Sequence, residues 1–386
     1  MRIAHVITRL ILGGAQQNTL LCCEDLLRDY GDEVLLIAGP PRGPEGSLLE
    51  RARAGGIRVA LVDALRRPIH PWHDLVSYRQ IKQLLRDFRP EVVHTHSAKG
   101  GILGRAAAWS LQVPAIIHTV HGAPFHPYQG RVQRALYRAC ERWAARRCHA
   151  LVSVADAMTE LMVAAGVAPR EKFTTIPSGM EVEPLLDSAR HRGRVRRQLG
   201  YEPQHVVIGK IARLFHLKGH CYLIEAAREV VRHHPNARFL LLGDGLLRES
   251  LLRQIAAAGL TDHFQLLGLV PPERIPELIA AMDVVAHTSL REGLARALPQ
   301  ALIAGKPAVS FDIDGAREVI IDDQTGYLVP PQDAAGLSAA LNRLVGDAAL
   351  RSRLGNEGRR RFADVYRHQR TTALLRTLYG RMRDKG

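Results

Sequence analysis

Apolar positions in the first half of the chain alternate between two kinds of pattern. Continuous short runs at 2–8, 33–38, 57–62, 91–96, 115–120 and 150–154 read as strands, and between them a three-to-four-residue apolar spacing predicts helices near 16–30, 46–54, 74–88, 101–111, 131–147 and 156–165. Repeated strand–helix order predicts a parallel sheet covered on both faces. A second cycle of the same kind runs from Val206 to about Val345. Between the cycles, Ile176-Pro177-Ser178-Gly179-Met180 breaks the pattern and is followed by the Arg-rich stretch Ser188 to Arg197, which puts a hinge at Pro177 to Gly179. The expected division is therefore 1–177 and 178–364, with a last segment at 365–386.

Composition supports two ordinary cores: 386 residues are 46% hydrophobic and 24% charged, which excludes a disordered chain. Five cysteines (Cys22, Cys23, Cys140, Cys148, Cys221) form an odd set with no Cys-x-x-Cys pair, suggesting reduced thiols in a cytoplasmic protein. The apolar stretch before Thr8 is too short for a signal peptide, and no run approaches the roughly 20 apolar residues that span a bilayer. The net charge of +15 is uneven: residues 1–180 and 351–386 carry +8 each, and the segment between them is near neutral. Such charge suits nucleic acid, an anionic membrane or anionic small molecules. Aromatic residues at 5% and the absence of a nucleic-acid motif make nucleic acid the weakest of these partners.

Candidate chemistry lies at the carboxyl ends of the expected strands, where ligands of doubly wound sheets bind. After Val206 to Ala212, the loop carries Arg213 and Lys218, a planar fork and a mobile point charge that could flank one diphosphate. After Asp283 to Thr288 come Glu292 and Gly293, then a helix expected from Ala295 or Arg296 because Pro299 fits only its first turn. The amides of Gly293, Leu294, Ala295 and Arg296 would then face an anion, while Glu292 accepts hydrogen bonds from hydroxyls. Gly13-Gly14 lacks the third glycine and distant acid of a dinucleotide fingerprint, so the helix start at Ala15-Gln16-Gln17 is expected to approach donor phosphate or acceptor instead. Asp312-Ile313-Asp314 is spaced like a metal motif, but Arg213 and Lys218 already supply the charge a metal would, and no metal is expected. His94, His96, His118 and His121 cluster at strand ends, and a zinc site would need a convergence that sequence does not establish.

These ordered motifs, covering nearly the whole chain, resemble the retaining nucleotide-sugar glycosyltransferases of family 4, which have the GT-B architecture. Gly13-Gly14-Ala15 looks like the family's glycine loop, Val92-Val93-His94-Thr95-His96 like its strand-end histidine motif, and His118-Thr119-Val120-His121-Gly122 like its histidine-glycine motif. Arg213 and Lys218 match its diphosphate pair, Gly243-Asp244-Gly245 the loop after the next strand, and Glu292 the first carboxylate of its Glu-x7-Glu signature. The second carboxylate, which holds the ribose hydroxyls in the family, is Gln300 here.

The resemblance implies an α/β fold of two Rossmann-like domains whose parallel sheets face a central cleft, and a C-terminal helix crossing back to the first domain. It implies transfer of a sugar from a nucleoside diphosphate donor, UDP-linked by expectation, to a sugar or lipid-linked acceptor, with retention and by a front-face route in which a donor phosphate oxygen takes the acceptor proton. Arg213, Lys218, Glu292 and His121 would be catalytic; Gly14, Ala15, Gln16, His96, Lys99, Gly268, Gly293, Leu294, Ala295 and Gln300 would bind substrate. No cofactor is implied. An epimerase or phosphorylase of the same architecture, a noncatalytic binding subunit and a nucleic-acid-binding protein are the alternatives.

Helix 131–147 carries Arg131, Arg134, Arg138, Arg142 and Arg146 on one face and Val132, Leu136, Ala139, Cys140 and Trp143 on another. Either the basic face is solvated and the apolar face enters the core, or the helix contacts an anionic membrane, placing the enzyme at the inner face of the cell membrane.

Overall fold

A computed structural model describes residues 1–41 and 46–385. The chain divides into two compact units, Met1–Met180 with Tyr366–Gly386, and Glu181–Val365. The last residue of the 365–386 segment lies outside the described residues.

The first unit is built on seven strands: β1 (Arg2–Ile7), β2 (Glu33–Ala38), β3 (Arg58–Leu61), β4 (Val92–His96), β5 (Ala115–Val120), β6 (Ala150–Ser153) and β7 (Phe173–Thr175). They are ordered β3-β2-β1-β4-β5-β6-β7, all parallel, with Ile7 opposite both Ala38 and His96 in register. β7 is three residues long, too short to show a period, and the sequence pattern misses it. The order reverses at β1, so the carboxyl ends of β1 and β4 open a crevice beside the glycine loop that follows β1.

Helix Pro71–Phe88 starts three residues before its expected position, because Pro71 fits the first turn and the His70 ring accepts from the His73 amide. Helix His368–Arg383 packs within this unit: Leu375, Leu378 and Tyr379 join the core of Ile3, Ile7, Leu20 and Ile117. Its polar side is anchored too. The His368 ring and the Thr372 hydroxyl both meet the fully buried Asp25 carboxylate, at 2.8 and 2.7 Å, and Arg376 Nε donates to Asp32 at 2.9 Å.

Helix Arg131–Ala145 is turned differently from the core-facing alternative. Val132 is 84% exposed, Leu136 52% and Trp143 44%, so the apolar stripe faces outward. What holds the helix is polar: Glu141 makes a buried ion pair with Arg105 at 2.9 Å, while Arg138 and Arg142 donate to the carbonyls of Ala165 and Gly166. Those two arginines are thus not part of a free cationic face. Long guanidinium side chains reach the unpaired carbonyls at the end of helix Asp156–Ala164, a use that charge periodicity cannot distinguish from solvation.

The second unit has six parallel strands: β8 (Val206–Ile211), β9 (Ala237–Leu242), β10 (Phe264–Leu266), β11 (Val284–His287), β12 (Ala308–Phe311) and β13 (Gly326–Val329). Their order is β10-β9-β8-β11-β12-β13, with the reversal at β8. Its core is formed by Ile208, Leu223, Ala227, Phe239, Leu241, Val309 and Phe311, among others, so the loops after β8 and β11 rise side by side from a rigid base.

Candidate active site

The β8 and β11 loops are joined by backbone and side-chain bonds. The Leu290 amide donates to the Leu217 carbonyl at 2.8 Å, and the Thr288 hydroxyl donates to the Gly219 carbonyl at 2.7 Å. Gly219 has φ 60°, and a Cβ there would lie 2.0 Å from the Thr288 carbonyl oxygen, so only glycine allows this approach. The loop after β9 packs beneath: Gly243 has φ 135° and donates to the Gly268 carbonyl at 2.8 Å, and the Leu214 amide donates to the Asp244 carbonyl at 3.0 Å. Gly268 thus supports the Arg213 loop through backbone contacts. Arg213 itself is exposed, its guanidinium 5.1 Å from the Phe215 ring centroid.

The ammonium of Lys218 is bonded to the Glu292 carboxylate, so residues separated by more than seventy positions form one ion pair. His287 Nε2 lies 3.5 Å from the same carboxylate, an electrostatic contact longer than a good hydrogen bond. Burial alone would raise the Glu292 carboxyl; His287 and Lys218 outweigh it and hold the group well below the usual carboxylate range. The Glu292 amide donates to Asp314 Oδ2 at 2.6 Å, which fixes the start of the segment. Beyond it, the amides of Gly293, Leu294 and Ala295 make no hydrogen bond among the described residues, leaving donors where the sequence reading wanted them. The following helix, Ala297–Ile303, begins one or two residues later than expected and holds the half-buried Gln300 in its middle.

Behind the ion pair lies a polar layer that the sequence reading missed. Lys210, on β8, is fully buried and donates to the Thr288 hydroxyl at 2.7 Å; burial, with the nearby charge of Lys218, brings its pKa down to about 7. Burial also depresses His220 and His287, whose ring nitrogens find no hydrogen-bond partner among the described residues. A lysine within the apolar run Val206 to Ile211 was the available signal. The Asp312 carboxylate is held by Arg317 and Asp314 accepts from the Glu292 amide, so each already has a protein partner.

In the first unit, Gly14, Ala15 and Gln16 form the half-buried first turn of helix Gly14–Tyr30, at the positive end of its dipole. Two residues expected to contact substrate already have protein partners. Lys99 is committed to the Asp74 carboxylate at 2.5 Å and to the Pro68 carbonyl, because the loop before helix Pro71–Phe88 folds over it. His96 is only 1% exposed and its ring nitrogens meet His5 and His121, so it lies beneath the surface that a substrate could touch. His121 follows β5 and is half-exposed. His5, His94 and His96 offer nitrogens within 4.8 Å of one another, as metal ligands do. Both His94 nitrogens, however, are bonded to Tyr379 and Thr119, at 2.5 and 2.7 Å.

Two Rossmann-like units, each built on a parallel sheet, define the GT-B class of α/β proteins. The family described as "Glycosyl transferase 4-like domain" matches residues 13–179, and "Glycosyl transferases group 1" matches residues 192–361. Together the two models span most of the chain, which belongs to the family-4 glycosyltransferases. It is 28% identical over 353 residues to the UDP-Gal:alpha-D-GlcNAc-diphosphoundecaprenol alpha-1,3-galactosyltransferase of Escherichia coli, covering 91% of this chain and 89% of that one. It is 27% identical to the 2-deoxystreptamine glucosyltransferase of Streptomyces kanamyceticus over 74% of this chain and 75% of the relative. Among solved structures it resembles Anabaena HepE in complex with UDP, with TM-score 0.82, 21% identity and coverage of 98% and 100%. The sucrose-phosphate synthase of Thermosynechococcus elongatus is similar at TM-score 0.82 and 19% identity, with both chains covered in full.

Proposed function

We propose that the enzyme transfers a hexose from a UDP-sugar to a sugar or lipid-linked acceptor, with retention and without a metal, at the cytoplasmic face of a membrane. The observation that carries this reading is the Lys218–Glu292 pair, on a loop that also carries the exposed Arg213. A donor diphosphate would draw Lys218 and Arg213 to its oxygens, leaving Glu292 to accept hydrogen bonds from the donor sugar. The costly event is charge growth on the departing diphosphate, and two fixed cations with the amides of Gly293 to Ala295 would stabilise it where it forms. His121 would contact the sugar or its phosphate. No protein nucleophile is invoked; a donor phosphate oxygen would take the acceptor proton.

UDP is favoured because HepE was crystallised with it and the E. coli relative is named for a UDP-sugar donor. The latter's name also specifies a diphosphoundecaprenol acceptor, which supports a lipid-linked class here. No helix among the described residues is long and apolar enough to cross a membrane, so attachment would be peripheral, through the outward stripe of helix Arg131–Ala145 and the basic surface around it. Thermal shift with UDP-, GDP- and ADP-sugars tests the donor, because a ligand selective for the folded state raises the melting temperature. UDP-sugars should give the largest shift, and transfer should persist in excess EDTA with the anomeric configuration retained. A preference for GDP or ADP, strict metal dependence or inversion would each overturn the corresponding part.

A further inference from the structure

Three imidazoles of the first unit form a chain from the core outward. His5 of β1 and His96 of β4 are buried, and His5 Nδ1 lies 3.0 Å from His96 Nε2; His96 Nδ1 lies 3.2 Å from Nε2 of the half-exposed His121. Burial depresses both inner rings, His5 down to about 3, and the adjacent His94 and His118 are depressed in the same way. The inner rings are therefore neutral, each with one N–H donor and one acceptor nitrogen.

With both contacts made, only two proton arrangements exist. Donation can run outward, from His5 Nδ1–H to His96 Nε2 and from His96 Nδ1–H to His121 Nε2. Alternatively it runs inward, from His121 Nε2–H to His96 Nδ1 and from His96 Nε2–H to His5 Nδ1. The second ring nitrogen of His5, Nε2, is buried without a hydrogen-bond partner among the described residues. Inward donation would place a proton there and bury an unpaired N–H, whereas outward donation leaves only a bare lone pair. Orphaned buried N–H groups are the rarer defect, so the outward direction wins.

We propose that His5 and His96 are positioning residues that lock His121 as its Nδ1–H tautomer, so that His121 meets the donor substrate as a hydrogen-bond donor to oxygen. Its Nε2 lone pair is occupied by His96 and cannot serve as a base. The donor contact rests on the proposed function, but the tautomer does not. His96, expected to bind substrate, acts one ring further back.

The test is 15N NMR of the full-length, histidine-labelled protein at neutral pH, with His121 assigned by comparison with His121→Asn. Wild type should show His121 protonated at Nδ1. His96→Asn, whose amide nitrogen can stand in place of Nδ1–H, should keep that tautomer, and His96→Phe should release it. With UDP-glucose as the probe, His96→Phe should bind roughly 5- to 10-fold more weakly and His96→Asn within about twofold of wild type, the size expected for one hydrogen bond. An Nε2–H tautomer in wild-type His121 overturns the relay, and this readout needs only the His121→Asn spectrum for its assignment. Tight uptake of one Zn2+ per chain, lost in His5→Leu, overturns it in favour of a metal site. The stated tautomer with UDP-glucose affinity unchanged in both variants supports the relay and removes His121 from the donor site.

Discussion

Lys218 and Glu292 are each other's partner, and this couples two tasks that residue types alone assign to separate subsites. Arg213→Ala and Lys218→Ala should each lower transfer by roughly 10² or more in steady-state assays, the effect of removing a preorganised charge from a leaving group. The Lys218 variant should also be less acid-resistant. Because the Glu292 carboxyl is depressed in the fold, it contributes stability above the ordinary carboxylate range that is lost as pH falls through its folded value; without Lys218 the folded value is higher, so the contribution is smaller and its loss is complete at higher pH. Acid unfolding followed by far-UV circular dichroism should show the midpoint moving upward.

Lys210 has the opposite sign. Its pKa, near 7 in the fold against 10.5 for a free side chain, means that charging it in the native state costs stability below about pH 7, and that stability rises from there towards pH 10. Lys210→Met should therefore stabilise the protein at pH 6 by on the order of 2 kcal/mol and flatten this rise, even after loss of the Thr288 hydrogen bond. Thermal melts at pH 6 and pH 9 decide it, and equal shifts at both would contradict the assignment. At position 300, if the side chain reaches the donor ribose as the proposed function has it, a glutamate would make charge-assisted bonds where Gln300 would make neutral ones, a difference of about 1 kcal/mol. Gln300→Glu should accordingly tighten UDP-sugar binding several-fold in calorimetric titrations.

Among the elements, helix Arg131–Ala145 is the one whose sequence left two placements open, and the fold rules out the core-facing one. Its amphipathic period is plain, yet a period names two faces without saying which one the rest of the fold covers. Coverage depended on Arg105, 36 positions away from Glu141, and on the carbonyls that end helix Asp156–Ala164. With Val132, Leu136 and Trp143 outward and Arg147 stacked 3.8 Å from the Trp143 ring centroid, contact with a bilayer should have an apolar part as well as an electrostatic one. Co-sedimentation with anionic liposomes should weaken with salt and fall at least tenfold when Val132, Leu136 and Trp143 are replaced together by serine. Activity on a soluble acceptor should be unchanged by that replacement. Arg138→Glu is the poorer probe, since it breaks bonds to Ala165 and would destabilise the helix itself.

For the whole molecule, the decisive feature is that the last helix belongs to the first unit's core. All three tryptophans, Trp72, Trp109 and Trp143, lie in that unit, so their fluorescence reports its unfolding selectively. Removing residues 366–386 would strip Leu375, Leu378 and Tyr379 from the core and leave the buried Asp25 without His368 and Thr372. The fluorescence-detected urea midpoint should collapse, and Tyr379→Phe, which deprives buried His94 of one partner, should lower stability by about 1–3 kcal/mol. A truncated chain with an unchanged fluorescence midpoint would contradict this account of the core.

Alternating strand and helix periods determined the doubly wound sheets, and the glycine, proline and charge positions marked which strand ends are candidates for chemistry. Both are local properties: a period, a cap or a turn is settled by residues a few positions apart. Tertiary structure decided the partners. Lys218 paired with Glu292, Lys210 sank beneath them, Lys99 was taken by Asp74, His96 was covered by His121, and an apolar stripe was left facing outward. Each of these depends on segments distant in sequence converging in space, where burial and the position of the nearest opposite charge fix a side chain's role.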